Sequence, residues 1–148
     1  MSMNIAIDGP AGAGKSTIAK KVAKEMGFIY VDTGAMYRAM ALYILQHGID
    51  EKNEQAVAAA CDDIDVALRY EAGEQRVLLC GEDVSKEIRR EEVGNMASVT
   101  SVYGCVRKKL VSLQQQLAAK EDVIMDGRDI GTCVLPQAPL KIYLTASV

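Results

Sequence analysis

Gly9-Pro10-Ala11-Gly12-Ala13-Gly14-Lys15-Ser16 fits G-x-x-x-x-G-K-[ST] at every position, and each part has a chemical reason. The glycines let a loop turn so that successive backbone N–H groups converge on one phosphate. A helix starting near Lys15 presents its positive end to the same anion. Lys15 can reach the β- and γ-phosphates of a nucleoside triphosphate, and the Ser16 hydroxyl, with Thr17 beside it, can ligate Mg²⁺. The bland alternative is a glycine-rich turn that binds nothing, but an apolar strand before the loop and a helix after it argue against that. The guanine-reading Asn-Lys-x-Asp and the switch Asp-x-x-Gly of a GTPase do not occur.

Two further stretches carry the residue types of a second anion site. In "DTGAMYR", Asp32 ends a strand, Thr33 opens a helix, and Arg38 follows within the next turns, able to fork onto a phosphate. A capped helix bearing a solvated arginine fits those residues as well. In "DGRDIGT", Asp126 ends the apolar run "VIMD", the form of a carboxylate that orders Mg²⁺ through water; an aspartate in that place is also a common turn residue. Arg128 can pair with phosphate, and the Asp129 carboxylate can accept from an exocyclic amine. An adjacent Arg-Asp pair also occurs as a plain surface ion pair.

The elements that must position these groups follow from periodicity. Asn4–Asp8, Phe28–Asp32, Asp122–Asp126 and Leu140–Thr145 read as strands. Lys15–Met26 reads as a helix burying Ile18, Val22 and Met26, with Gly27 ending it. Another helix runs from about Ala35 to Gln46, and 53–60 is a third. "IDVALRY" and "RVLLC" form a hairpin in mid-chain. From Glu91 to Lys120 the pattern is helical with a break at Tyr103-Gly104, and Val106, Leu110, Leu113 and Leu117 make its apolar stripe. Strands alternating with helices predict an α/β fold with a mostly parallel sheet covered by helices.

The chain has 148 residues, 49% of them hydrophobic and 25% charged, with a net charge of −3. That balance suits one soluble domain and lacks the basic face that nucleic-acid or anionic-membrane binding needs. The start of the chain has no secretory pattern, and no apolar run approaches a membrane span of roughly 20 residues. A cytoplasmic location is expected. Cys61, Cys80, Cys105 and Cys133 show no metal or redox spacing, and reduced buried thiols are expected.

Taken in order, "IAIDGPAGAGKSTIAK", "DTGAMYRA", "GEDVSKEIR" and "MDGRDIGTCVLPQAPLKIYLTAS" closely resemble the bacterial cytidylate kinase family, over residues 4 to 148. "GEDVSKEIR" marks the hairpin insert of that family; adenylate and shikimate kinases share the phosphate loop but neither this segment nor "DGRDIGT". The resemblance implies a P-loop nucleoside-monophosphate-kinase fold with a core of about 1–34 and 121–148 and an acceptor region of about 35–120. It implies transfer of the γ-phosphoryl group of ATP to CMP or dCMP, with Mg²⁺. Gly9 to Thr17 would hold ATP, and Lys15 and Arg128 would be catalytic. Asp32, Thr33, Arg38 and Arg128 would surround the acceptor phosphate; Ser98, Arg107 and Asp129 would read cytosine; Ser16 and Asp126 would serve the metal. The family commonly has a proline shortly before the arginine that aligns with Arg107, where this chain has Tyr103-Gly104. Family members act as monomers and continue past the last strand with an arginine-rich lid; this sequence is expected to lack that lid, which leaves turnover by the 148-residue chain open. A non-catalytic nucleotide-binding fragment, or a related kinase with another acceptor, are the alternatives.

Overall fold

The computed structural model describes residues 3–9, 15–71, 74–127, 130, 134–135 and 137–143. The chain divides into two compact units, one of residues 1–33 and 111–148, the other of residues 34–110.

The first unit is built on a four-stranded sheet in the order β2-β6-β1-β7, where β1 is Asn4–Asp8, β2 Ile29–Asp32, β6 Val123–Gly127 and β7 Leu140–Tyr143. All three pairings are parallel. Ile5 stands opposite Ile124, which in turn stands opposite Tyr30, so one row of side chains crosses three strands. These residues and Ile7 bury themselves with Ala19 and Ala23 of helix α1 (Lys15–Met26). Parallel strands are covered on both faces, and the other face is just as dry: Ala6, Val31, Val123 and Met125 are all fully buried.

The buried face of α1 differs from the sequence expectation. Ile18 and Met26 are exposed at 41% and 49%, and the contact is made by Ala19 and Ala23 with Val22 at its margin. Spacing alone identified a stripe but not its rotation. Small side chains let the helix axis approach the sheet, while Ile18, one position before Ala19, and Met26, three after Ala23, turn outward. Gly27 then ends the helix at φ +72°, a conformation that disfavours any other residue, and the Phe28 N–H closes back onto the Ala23 carbonyl at 2.9 Å.

The second unit holds most of helix α2 (Thr33–Gln46), helix α3 (Glu54–Cys61), a three-stranded antiparallel sheet, helix α4 (Glu91–Thr100) and the first turns of helix α5 (Gly104–Lys120). Helix α2 starts directly on the last residue of β2, two positions earlier than its composition suggests. Residue 53 is the cap of α3 rather than its first turn: the Asn53 side chain accepts from the Ala56 N–H at 3.2 Å. The expected hairpin is β3 (Val66–Glu71) and β4 (Glu74–Leu79), extended by a two-residue strand β5 (Glu82–Asp83) that periodicity could not reveal.

"GEDVSKEIR" now has a structural account. Cys80 and Gly81, both at positive φ, turn the chain from β4 into β5. The Asp83 carboxylate accepts from the Ser85 hydroxyl at 2.6 Å and from its N–H at 3.0 Å, which holds that carboxyl below its usual range. The Ser85 hydroxyl oxygen also accepts from the Val77 N–H at 2.9 Å. Val84 and Ile88 are buried anchors, and a 3-10 turn over Glu87–Arg89 presents the Ile88 carbonyl.

Two sequence expectations need correction here. The buried stripe of α5 runs through Val106, Leu110, Gln114 and Ala118, with Leu113 and Leu117 only half-buried. A glutamine in the core was invisible to a pattern that counts apolar residues. Among the cysteines, Cys61 is buried, Cys105 is half-buried and Cys80 is exposed in the β4–β5 turn. Burial, with Cys105 beside it, pushes the Cys61 thiol up to about 11. Cys133 lies outside the described residues.

Candidate active site

The strands of the first unit end at one edge in a set of acids. Parallel register aligns Asp32 with Asp126, and Asp8 with Gly127 just beyond it. Open α/β sheets bind ligands at this carboxyl edge. Gly9, buried and at φ 153°, takes the chain out of β1, and α1 begins again at Lys15. Pro10, Ala11, Gly12, Ala13 and Gly14 lie outside the described residues, as do the side chains of Lys15 and Ser16. Thr17 stands exposed on the first turn of α1.

Asp126 is the best-buried acid of that edge, 8% exposed, and its surroundings are specific. Tyr30 and Asp126 share a sheet face because Tyr30 pairs with Ile124, two residues before Asp126. The Tyr30 hydroxyl donates to Asp126 Oδ1 at 2.9 Å, while the Thr33 hydroxyl donates to the Asp126 carbonyl at 2.8 Å. Thr33 is thus buried, with its proton committed inside the protein, and offers a ligand only oxygen lone pairs and the helix start. Lys20 sits over the Tyr30 ring, 5.7 Å from its centre, where a cation is attracted by the ring face. Asp8 acts on the chain after β6: its carboxylate accepts from the Ile130 N–H at 2.6 Å, four residues beyond Asp126. Arg128 and Asp129 lie outside the described residues.

Replacing Tyr30 with Phe removes one donor from a buried carboxylate. The expected loss is about 1–3 kcal/mol of stability, read as a lower urea midpoint for the variant. A midpoint equal to that of the unaltered chain would mean the hydroxyl does nothing for Asp126.

In the second unit, Arg38 projects from α2, and its Nη1 donates to the Ile88 carbonyl at 3.2 Å. The guanidinium also lies against Gly94 of α4. One turn further along, the Ser98 hydroxyl donates to the Gly94 carbonyl at 3.2 Å, so Arg38 and Ser98 flank the same turn of helix. Arg107 is exposed on the first turn of α5, and its positive charge acts on Tyr37. Burial raises the Tyr37 phenol above its ordinary value and Arg107 opposes that rise. Tyr103 immediately precedes α5. Its carbonyl accepts from the Arg107 N–H at 3.2 Å and its hydroxyl donates to the Glu51 carbonyl at 2.5 Å.

Helix starts differ in a way that bears on anions. The first turns of α3 and α4 carry acids, Glu54 and then Glu91 with Glu92, which complement the helix dipole. The first turns of α1, α2 and α5, which carry Lys15, Thr33 and Arg107, have no acid at all.

A family model described as cytidylate kinase matches residues 5–148. The chain belongs to the cytidylate kinase family. It is 54% identical over 145 residues to a cytidylate kinase of Caldicellulosiruptor saccharolyticus, covering 98% of this chain and 64% of that relative. It is 52% identical over 146 residues to one of Oceanobacillus iheyensis, covering 99% of this chain and 64% of the relative. A cytidylate kinase of Lactobacillus johnsonii is 50% identical, with the same two coverages. The chain therefore spans about 64% of the length of these relatives. The observed parallel sheet with its antiparallel insert is consistent with the nucleoside-monophosphate-kinase fold of that family. Among the described residues, no helix is long and apolar enough to cross a membrane.

Sequence reasoning missed Tyr30, Asp8, Tyr37, Ile88 and Gly94. Tyr30 sits in a strand where an aromatic reads as core. Ile88 acts through its carbonyl, for which side-chain patterns carry no signal. Gly94 had one available clue, a glycine inside a helical stretch, where it costs about 1 kcal/mol relative to alanine.

Proposed function

We propose that this chain carries the donor and acceptor sites of an ATP-dependent kinase that phosphorylates CMP or dCMP to the diphosphate. The observation that carries the reading is the carboxyl edge of the parallel sheet. There a G-x-x-x-x-G-K-S loop leads into α1 while the buried Asp126 ends the neighbouring strand. The unit of residues 1–33 and 111–148 supplies the donor side. The region of about 35–120 supplies most of the acceptor side, a division consistent with the family resemblance.

Phosphoryl transfer needs little covalent chemistry from the protein, which acts by in-line positioning and charge neutralisation. Backbone N–H groups of Gly9 to Thr17 surround the ATP phosphates, and Lys15 offsets the charge on the transferring group. Arg38 and Arg128 hold the acceptor phosphate, with Asp32 and the Thr33 helix start beside it. Ser98, Arg107 and Asp129 read the cytosine edge.

A Mg²⁺ ion fits this donor set. Among the described residues no cluster of three metal-ligating side chains occurs, and Mg²⁺ with ATP keeps several waters and takes phosphate oxygens with only one or two protein groups. Ser16 and Asp126 are those groups, and the bound ion would neutralise charge on the β- and γ-phosphates. Tyr30 would hold the Asp126 carboxylate in place through its 2.9 Å hydrogen bond. The chain acts on free nucleotides as a cytoplasmic monomer in this reading, which its net charge of −3 suits.

Base discrimination tests the assignment. CMP and dCMP carry an amine where UMP carries a carbonyl, and Asp129 is an acceptor. UMP would leave that carboxylate unpaired at a cost of about 1–3 kcal/mol, roughly ten- to a hundredfold in affinity. Calorimetry should show CMP binding more tightly than UMP, and Asp129→Ala should erase most of the difference. Equal affinities for the two nucleotides in the unaltered chain would remove the base-reading role.

A further inference from the structure

The insert segment "GEDVSKEIR" and the glycine of α4 have no part in the reaction as derived above, yet both touch Arg38. The Arg38 Nη1 donates to the Ile88 carbonyl at 3.2 Å. A Cβ placed on Gly94 would lie 3.5 Å from Arg38 Nη2, 3.6 Å from Cζ and 3.7 Å from Nη1. Three atoms of a planar group at nearly equal distance mean that the guanidinium turns a face to the place a Gly94 side chain would occupy. A glycine four residues into a ten-residue helix is a poor choice for the helix itself. Arg38 supplies the reason for it.

The cradle is firm on both sides. Ile88 is 4% exposed, its N–H donates to the Val84 carbonyl at 3.1 Å, and Val84 is itself buried, so the accepting carbonyl is held by the insert. On the other side the Gly94 N–H donates to the Arg90 carbonyl at 3.2 Å, and its own carbonyl accepts from Ser98. One edge of the guanidinium is thereby used by the protein and one face is turned to the bare Gly94 position. The remaining N–H groups stay available for a bidentate contact with an oxyanion. A free arginine would have to give up its rotamers on binding; this one has largely done so already.

We infer that Gly94 and the Ile88 carbonyl are positioning elements that pre-set Arg38 for the phosphate of the acceptor nucleotide. The inference rests on the acceptor role proposed for Arg38. A methyl group at 3.5–3.7 Å is ordinary contact, so alanine fits at residue 94. Any longer side chain takes the space of the guanidinium and turns Arg38 away.

The test is calorimetric titration of the chain with CMP, with cytidine and with ATP. Gly94→Leu and Gly94→Gln both substitute better helix formers for glycine, so α4 keeps or gains stability. Each is expected to weaken CMP binding by about tenfold or more, to leave cytidine and ATP within about twofold, and to add nothing further in an Arg38→Ala background. Gly94→Ala is expected to bind CMP as the unaltered chain does. The inference is overturned if both bulky variants bind CMP normally while Arg38→Ala does not, or if they weaken cytidine as much as CMP. If Arg38→Ala itself binds CMP normally, the acceptor role of Arg38 falls, and the positioning role falls with it. Should one bulky variant fail to fold, as judged by its thermal melt, the other decides.

Discussion

If the chain works as the kinase proposed above, Lys15→Ala is expected to lower phosphoryl transfer from ATP to CMP by about 10²–10³-fold, the size of effect found when one preorganised electrostatic donor is removed from a charged transition state. Affinity for ATP–Mg²⁺ should fall as well, because the same ammonium is read as contacting the β- and γ-phosphates. CMP affinity should stay put, since no acceptor group is altered. The fold should survive for a physical reason visible in α1. Lysine at a helix N-terminus opposes the dipole, the first turn has no acid to offset it, and alanine is the best helix former. A cation kept where the helix itself does not want one is explained by an external anion. The measurement is a coupled assay together with an ATP titration and a urea melt. Wild-type ATP affinity and turnover in a folded Lys15→Ala protein would remove the assignment of this loop to the donor phosphates.

Ile124→Ala is expected to cost about 2–5 kcal/mol, and Ile124→Val about 0.5–1.5 kcal/mol. Ile124 is wholly buried on β6, with Ile5 and Tyr30 on the strands to either side and Ala19 and Ala23 of α1 in the same cluster. Strands paired on both sides cannot shift to fill a cavity, so little relaxation should soften the loss. A domain of this size is stable by only about 5–15 kcal/mol, so the alanine variant gives up a large share of the total. Two positions along the same strand is Asp126, and a loosened β6 should weaken ATP–Mg²⁺ binding even below the denaturation midpoint. Urea unfolding should show a lower midpoint with an unchanged slope. An unshifted midpoint for Ile124→Ala would contradict the placement of β6 at the centre of the core.

The proposed donor side is written locally in the sequence. Loop, lysine and hydroxyl are contiguous from Gly9 to Thr17, and a loop between a strand and a helix must lie where the two meet. The alternation of strands and helices sufficed for a parallel α/β sheet, and the break before α5 was marked by Tyr103-Gly104. Helix rotation was not legible. Ile18 and Met26 outscore Ala19 and Ala23 on hydrophobicity, yet the alanines are buried, because close approach to a flat sheet selects for small volume. Gln114 in the α5 stripe is the same lesson with polarity in place of size.

The contacts that tune the site needed the folded chain, since each joins residues far apart in sequence. Tyr30 meets Asp126 only because β2 and β6 are neighbours in register, 96 positions apart along the chain. Asp8 reaches the Ile130 N–H across 122 positions. Arg38 takes its direction from a carbonyl 50 residues away and from the missing side chain of Gly94. Residue types and spacing name the groups that can do chemistry, because charge and hydrogen-bonding capacity belong to the side chain itself. Which backbone oxygen each group leans on, and which helix face is bare enough to receive it, depends on packing between distant segments, and that was decided only by the tertiary structure.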